Sequence, residues 1–322
     1  MSNIIIDWEK KNSLLWDQQP LQFAHNIHQS ELFEKKALIE LLDNYPRDQF
    51  SIIHMGADDE EKKWQEGETY GLSGAEIFNA VEQGRLWVNL RNTRRVRSEY
   101  GALLAELFGE LGDALGGRVF PPLSMGILIS SPNAQVHYHC GLPDPSLLQI
   151  AGEKTIWVYP PQPPFLSGED LERISIFELE VDLEYQEWFD DYAMKFALKP
   201  GQALNWPLNS PHRVVNGNRV NVSVTTEYWT KAAKQRHRIN MANGMLRFKY
   251  GFNPRSRRTS GLGFWVKDRL DAGSKRHSSN RRIYLLNRSS FVLTIFLFAC
   301  DSPQLQEGDP NTMAVVGDVG IS

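Results

Sequence analysis

Three histidines are the residues of this chain with the clearest potential for chemistry. His137 and His139 lie two positions apart in the run Ala134-Gln-Val-His-Tyr-His-Cys140, and His212 ends a later segment that begins at Pro200. Strand side chains alternate between faces, so His137 and His139 are expected on the same face of a strand. His212 would close the site from a second strand. Imidazole binds Fe, Zn, Cu and Ni, so the pattern predicts a transition-metal site formed by His137, His139 and His212.

A chance occurrence of the histidine pair is the alternative interpretation. Eight histidines among 322 residues are no excess, and a His-x-His pair considered alone is more often structural or solvated than metal-binding. The later segment favours the metal site. Its residues Gly201, Pro207, His212 and Asn216 are spaced as a strand, a tight turn and a returning strand, which would supply the third histidine.

Short strands separated by turn signals surround the histidines from Met125 onwards. Gly152-Glu153 predicts a two-residue hairpin turn, because glycine adopts a positive φ without strain. Many short antiparallel strands with few helices indicate a sandwich or a jelly-roll barrel. The predicted strands lie near residues 126–130, 135–139, 147–151, 154–159, 195–198, 203–206, 213–215 and 219–229.

The region before these strands has a mixed pattern. Apolar residues at helical spacing predict helices over about 30–43, 73–82 and 98–115, the first with Ser30 as its N-cap. The pattern divides the chain into an N-terminal α/β segment (1–120) that packs on the barrel, a β-barrel core (121–230) and a basic, helical or irregular C-terminal extension (231–322).

Charge is distributed unevenly along the chain. Residues 1–230 contain 19 Lys and Arg against 33 Asp and Glu, whereas residues 231–288 contain 16 against two. A basic segment can contact nucleic acid, an acidic partner or the acidic face of its own domain. The last interpretation is favoured, because an acidic body beside a basic segment needs no outside partner. No helix-turn-helix or zinc-finger pattern accompanies the segment, so nucleic-acid binding is not expected.

Composition places the chain among globular proteins, since 41% of its residues are hydrophobic and 11% are aromatic. The two cysteines, Cys140 and Cys300, cannot build a disulfide framework, which predicts a reducing, cytoplasmic location. The N-terminus lacks a basic region followed by a long apolar stretch, so no signal peptide is expected. The apolar run at 291–300 is too short to cross a bilayer, and no membrane association is expected.

Three segments in this order resemble the JmjC and cupin-like family. They are His137-Tyr-His, the run from Leu147 to Pro161, and the Pro200-Gly…Pro-His212 segment, and the resemblance covers roughly residues 120–230. It implies a mainly β fold with flanking α-helices, a double-stranded β-helix or jelly roll that holds Fe(II). Many members are 2-oxoglutarate-dependent oxygenases that hydroxylate or demethylate proteins or small molecules.

The resemblance assigns roles to individual residues. His137 takes the place of the first metal histidine and His212 that of the distal one. Lys154 falls where family members keep a basic residue for the distal carboxylate of 2-oxoglutarate, although a solvated strand lysine is the alternative. Asn221 and Ser223 alternate with valines, so their face could line a polar cavity and orient a ligand.

His139 departs from the family pattern, because the oxygenases have Asp or Glu at this position. Three neutral histidines leave one more positive charge on the metal than two histidines and a carboxylate do. Three-histidine iron sites occur in cupin dioxygenases that need no 2-oxoglutarate. Alternatively, Asp144 could supply the carboxylate from the following loop, or the domain could have become a binding module.

The leading interpretation is an Fe(II)-dependent oxygenase that hydroxylates a small molecule or a protein, with 2-oxoglutarate as cosubstrate. A non-catalytic cupin-like binding or regulatory protein is the second interpretation, and a three-histidine dioxygenase without 2-oxoglutarate is the third. Cupin-like domains often pair, so family analogy adds the expectation of a homodimer.

Overall fold

Two antiparallel sheets of nine and four strands form the framework of the protein. The computed structural model describes residues 3–54, 65–67, 71–121, 123–177 and 183–261. The strands in these ranges are β1 (Ile5–Ile6), β2 (Leu21–His25), β3 (Phe50–His54), β4 (Gln65–Gly67), β5 (Leu86–Leu90), β6 (Leu123–Ser130), β7 (Gln135–His139), β8 (Asp144–Ala151), β9 (Lys154–Val158), β10 (Met194–Leu198), β11 (Gln202–Asn205), β12 (His212–Asn216) and β13 (Asn221–Tyr228).

The strands from β6 to β13 form a jelly roll. Four of them lie side by side in the larger sheet in the order β11-β8-β13-β6, and the other four form the smaller sheet in the order β10-β9-β12-β7. The chain passes repeatedly from one sheet to the other, as a double-stranded β-helix requires. The predicted mainly β fold is therefore confirmed, and the eight strands lie within the predicted core at 121–230.

The N-terminal region extends the larger sheet at both ends. β2 pairs with β11 at one end, and β5 pairs with β6 at the other, where β3 and β4 continue the sheet. The helices of the described chain are α1 (Lys10–Leu15), α2 (Lys35–Asp43), α3 (Gly74–Gln83), α4 (Thr93–Val96), α5 (Ser98–Ala114), α6 (Gly168–Phe177) and α7 (Lys231–Gly244), with a π-helical turn at Met245–Lys249.

Helix starts follow the capping residues that the sequence supplies. Ser73 and Glu76 form a reciprocal capping box at the start of α3, which satisfies two backbone N–H groups. Ser30 also caps, but it starts a single 3-10 turn, and the α-helix predicted from residue 30 begins only at Lys35. The intervening Glu34 has an extended backbone, which separates the two elements.

The larger core lies between the nine-stranded sheet and helices α2, α3 and α5. Ile127 and Ile129 of β6 pack there with Val222 and Val224 of β13. A smaller apolar cluster fills part of the barrel interior, and its buried members are Leu147, Ile156, Val158, Leu198, Leu204, Trp206 and Val214. Alternation along β13 thus places Asn221 and Ser223 on the barrel side. Among the described residues, no helix combines the length and apolarity needed to span a membrane.

Candidate functional site

One face of the smaller sheet carries both a candidate metal ligand and a candidate anion-binding residue. The buried positions of β12 include His212, and those of β9 include Lys154. Lys154 lies two residues before Ile156 on β9, and His212 lies two residues before Val214 on β12. Because side chains two residues apart share a face of a strand, Lys154 and His212 lie on the interior face with the barrel cluster. His212 lies opposite Val158, and Lys154 lies opposite Asn216. Four residues at a rise of roughly 3.3 Å separate the two positions by about 13 Å along the strands.

His139 and His212 form a close pair on neighbouring strands. They are direct partners in the β7–β12 ladder, and their ring centroids lie 4.0 Å apart. The Nδ1 of His139 donates to the carbonyl of His137 at 2.8 Å, and the Nδ1 of His212 donates to the carbonyl of Ser210 at 3.1 Å. A neutral imidazole that donates from Nδ1 has a free electron pair on Nε2. Desolvation lowers the pKa of both rings, which favours this neutral, metal-binding form.

A β-bulge changes the position of His137. Val136 lies opposite Val214 and His139 lies opposite His212, so two residues of β7, His137 and Tyr138, stand opposite one residue of β12. The extra residue breaks the alternation of side chains. Val136 and His139 consequently share the interior face, although three positions separate them.

The bulge interrupts the regular alternation on which the shared face of His137 and His139 was predicted, so that shared face stays a prediction. The bulge is a tertiary feature that the histidine spacing alone does not reveal. No group of three or more His, Cys, Asp or Glu side chains in the described chain is arranged to hold a metal ion. The structure brings together His139 and His212, and the role of His137 as a third ligand stays a prediction.

Asp144 does not join the histidines as an alternative carboxylate, contrary to the expectation that it could supply one. It begins β8 in the larger sheet, opposite Tyr228, and its Oδ2 accepts a hydrogen bond from Thr230 at 3.0 Å. Burial raises the pKa of this carboxyl group. The loop between β7 and β8 carries the chain from one sheet to the other, which moves Asp144 away from His139.

Lys154 is buried without an anion. Its side chain is 5% exposed, and it makes no hydrogen bond or ion pair within the described chain. Desolvation lowers the pKa of its amine from 10.5 to about 7. The expectation of a solvated strand lysine therefore does not hold. A buried cation of this kind is costly unless a partner of opposite charge arrives.

Asn221 and Ser223 are fully buried and joined by a residue that sequence reasoning missed. Ser223 donates to Oε1 of Gln149 at 2.8 Å, and Nε2 of Gln149 donates to Oδ1 of Asn221 at 2.7 Å. The three side chains connect β8 and β13 on the barrel side. The sequence held one signal for Gln149, because it is a lone polar residue in the apolar run Leu147 to Ala151. The proposed binding role of Asn221 and Ser223 remains a prediction.

Arg213 is the residue of β12 that lies opposite the bulge. Its guanidinium stacks on Trp157 at 3.6 Å and forms an ion pair with Asp190. Burial alone would raise the pKa of Asp190, but hydrogen bonds from Arg213, Tyr159 and Tyr185 hold it below its usual value. This network holds β12, the strand that carries His212, and no pattern in the sequence indicated it.

The strand order defines a double-stranded β-helix, and the paired imidazoles lie on its smaller sheet. Among solved structures, the chain is similar to YcfD of Escherichia coli, with a TM-score of 0.48 and 17% identity over 84% of this chain and 68% of that chain. A second structure, of YcfD as a ribosomal oxygenase in complex with cobalt and 2-oxoglutarate, gives a TM-score of 0.45 and 17% identity over 84% of this chain and 67% of that one.

A more distant similarity is to the DMSP lyase DddQ from Ruegeria pomeroyi, with a TM-score of 0.22 and 11% identity over 34% of this chain and 39% of that chain. No protein-family model matches the sequence, and no curated protein matches it. The sequence identity to each of these structures is 17% or less.

Proposed function

We propose that the barrel binds a 2-oxo dicarboxylate, 2-oxoglutarate or a close analogue, and acts as an Fe(II)-dependent oxygenase that hydroxylates a small-molecule or protein substrate. One observation carries the proposal. A buried lysine that pairs with no acidic side chain among the described residues lies with two neutral imidazoles on the same interior face of the smaller sheet.

Lys154 is suited to the distal carboxylate of such a ligand. A bound carboxylate would neutralise the ammonium group and raise its pKa, so binding recovers part of the cost of desolvating the lysine. The separation of about 13 Å between the backbone positions of Lys154 and His212 leaves room for two inward-pointing side chains and a five-carbon ligand between them. A monocarboxylate would leave one end of this site unoccupied.

His139 and His212 are suited to the metal end. Both rings are neutral, and both offer Nε2 because Nδ1 is engaged by a backbone carbonyl. The hydrogen bonds from Nδ1 to the backbone orient the rings, as is common for histidine ligands of metals. Fe(II) bound there would supply the activation of O2. Trp206, whose ring centroid is 4.7 Å from that of His212, packs beside this end of the site.

The buried network on the opposite sheet would hold the far wall of the site in place. Gln149 links β8 to β13 through Asn221 and Ser223, and its amide nitrogen also donates to the carbonyl of Ala151 at 2.7 Å. Because these polar groups form hydrogen bonds with one another, this part of β8 and β13 needs no bound water to satisfy them.

Binding and turnover test the proposal separately. Isothermal titration of 2-oxoglutarate into the full chain with Co(II), a redox-stable substitute for Fe(II), measures binding. Lys154→Met should abolish the binding, and the exposed Lys199→Met serves as the matched control. Succinate release with Fe(II) measures turnover. His139→Ala and His212→Ala should abolish it, and His137→Ala should reduce it less if the bulge persists.

A non-catalytic binding protein is the second candidate, and the two-histidine arrangement favours it. No third metal-binding side chain joins His139 and His212 in the part of the chain that is described. Dicarboxylate binding that depends on Lys154 but needs no metal and gives no succinate would support this candidate. An absence of binding with and without metal would reject both candidates.

A further inference from the structure

The chain that follows the barrel forms a strongly basic surface. Residues 231–261 contain nine Lys and Arg and no Asp or Glu. This stretch comprises α7, the π-helical turn and an irregular segment that ends at Gly261. The sequence favours an interpretation in which these charges face the acidic body of the same chain.

Two arginines do contact the acidic body. Arg247 and Arg257 both reach Glu172 of α6, at 2.8 and 2.5 Å, and Arg247 also lies 3.6 Å from Glu169. The side chain of Glu172 is fully buried. These contacts fasten the segment to the barrel domain, and they use only two of the nine cations.

Six further cations are exposed and form no ion pair within the described chain. These are Lys231, Lys234, Arg236, Lys249, Arg255 and Arg258. Three of them lie in the first six residues of α7, and three lie between residues 249 and 258. Groups of positive charge without an acidic partner among the described residues attract a polyanion.

Exposed aromatic rings are interleaved with these cations. Phe248 is 39% exposed, Tyr250 is 57% exposed and Phe252 is 64% exposed. Phe248 rests partly on Phe177, with ring centroids 5.4 Å apart, and Lys249 lies over the ring of Tyr250 at 5.6 Å. Three large apolar side chains at alternate positions would be costly on a surface that only solvent touches.

We propose that this basic–aromatic surface, residues 231–258, binds single-stranded RNA. Cations that contact phosphates and rings on which bases stack are the two components of sequence-tolerant single-strand binding. A duplex already stacks its bases internally, so it could use the cations but not Tyr250 and Phe252. An acidic peptide likewise offers no bases to stack on the rings, and residues 253–258 contain no Leu, Ile, Val, Phe or Trp that would insert into a membrane. Stacking of this kind needs no helix-turn-helix or zinc-finger motif.

Fluorescence anisotropy of the full chain with a labelled 20-nucleotide oligouridine tests the proposal. If about five phosphates are neutralised, affinity should fall about 100-fold between 50 and 200 mM salt. Tyr250→Ala and Phe252→Ala should each weaken binding about tenfold without changing the salt dependence. Lys249→Ala, Arg255→Ala and Arg258→Ala combined should reduce the slope of log affinity against log salt by about two.

Matched controls separate this surface from general charge effects. Lys36→Ala removes an exposed lysine of α2, and Tyr192→Ala removes a ring that is 63% exposed in the acidic region. Neither should change binding, and circular dichroism verifies that each variant is folded. Equal affinity for a duplex of the same length, or aromatic variants that bind normally, would overturn the proposal. Binding to phosphatidylserine vesicles without binding to oligouridine would overturn it as well.

Discussion

Replacing Lys154 with methionine should stabilise the ligand-free protein while it removes dicarboxylate binding. Methionine is unbranched and similar in length, so it can follow the path of the lysine side chain beside Ile156 in the barrel. It lacks the charge that makes the native residue costly. If Lys154 is present because it binds a ligand, its replacement should improve the stability of the protein and remove ligand binding at the same time.

The size of the effect follows from the pKa of Lys154. The unfolded chain holds this proton below pH 10.5, whereas the folded chain holds it only below about pH 7. Each unit of that difference corresponds to about 1.4 kcal/mol, so the protonated amine costs the fold up to about 5 kcal/mol at pH 6. Between pH 7 and 10.5 the unfolded state binds one more proton, so the contribution of Lys154 to stability improves as pH rises.

Urea unfolding of the wild type and Lys154→Met at several pH values measures this effect. The variant should unfold at higher urea at pH 7. From pH 7.5 to 9.5 its advantage should shrink by about 3 kcal/mol, since the penalty of the lysine fades over that range. Lys199→Met, which changes an exposed lysine, should show no pH-dependent difference.

Two results would refute this reasoning. A Lys154→Met variant less stable than the wild type at pH 7 would mean that the amine has a stabilising partner. A constant difference between the two proteins from pH 7.5 to 9.5 would mean that Lys154 has an ordinary pKa. Adding 2-oxoglutarate should stabilise the wild type and leave the variant unchanged, which links the stability measurement to the binding site.

Three further predictions concern the framework of the protein. Glu172→Gln leaves Arg247 and Arg257 without their carboxylate and should cost about 3 kcal/mol or more, with faster proteolysis after residue 245. Asp190→Asn should lower the free energy of unfolding by about 2 kcal/mol at pH 7. The difference in stability between the wild type and this variant should narrow as pH falls through the lowered pKa of the Asp190 carboxylate. The carboxylate loses its proton-free, stabilising form there. Gly152→Ala should cost about 2 kcal/mol or more, because φ is 71° and the new Cβ would lie 2.4 Å from a backbone carbonyl.

Each of these predictions has its own check. For Glu172, the exposed Glu187→Gln is the control, and equal proteolysis of both variants would contradict the stabilising role of the contacts of Glu172 with Arg247 and Arg257. For Asp190, a stability difference that stays constant down to pH 3 would contradict a lowered pKa. For Gly152, substitution of the exposed Gly251 tests the φ contribution alone, because no atom lies near its added Cβ.

Much of the fold followed from local patterns in the sequence. Alternating valines in β13, the glycine of the β8–β9 turn and the Pro200–His212 segment predicted the strands of the jelly roll, and Gly152 does adopt the expected positive φ. These features depend on residues close together in sequence. Helix α6 was not predicted, since its short pattern lies next to an acidic stretch that resembles a surface loop.

The candidate site was predictable in its location but not in its arrangement. His139, His212 and Lys154 were all identified from the sequence, and all three lie on the interior face of the smaller sheet. The bulge beside His137 was not identified, because a bulge depends on how β7 pairs with β12. Gln149 became visible only when β8 and β13 were placed side by side.

Local patterns in the sequence were enough to identify which residues could form strands, which glycine turns the chain and which side chains carry metal-binding and anion-binding chemistry. The folded chain was needed to see that His139 rather than His137 lies opposite His212, that Lys154 is buried, and that six cations after the barrel have no acidic partner among the described residues. The reason is physical. Periodicity is a local property, whereas strand register, desolvation and ion pairing depend on residues that are distant in sequence and meet only in the folded chain.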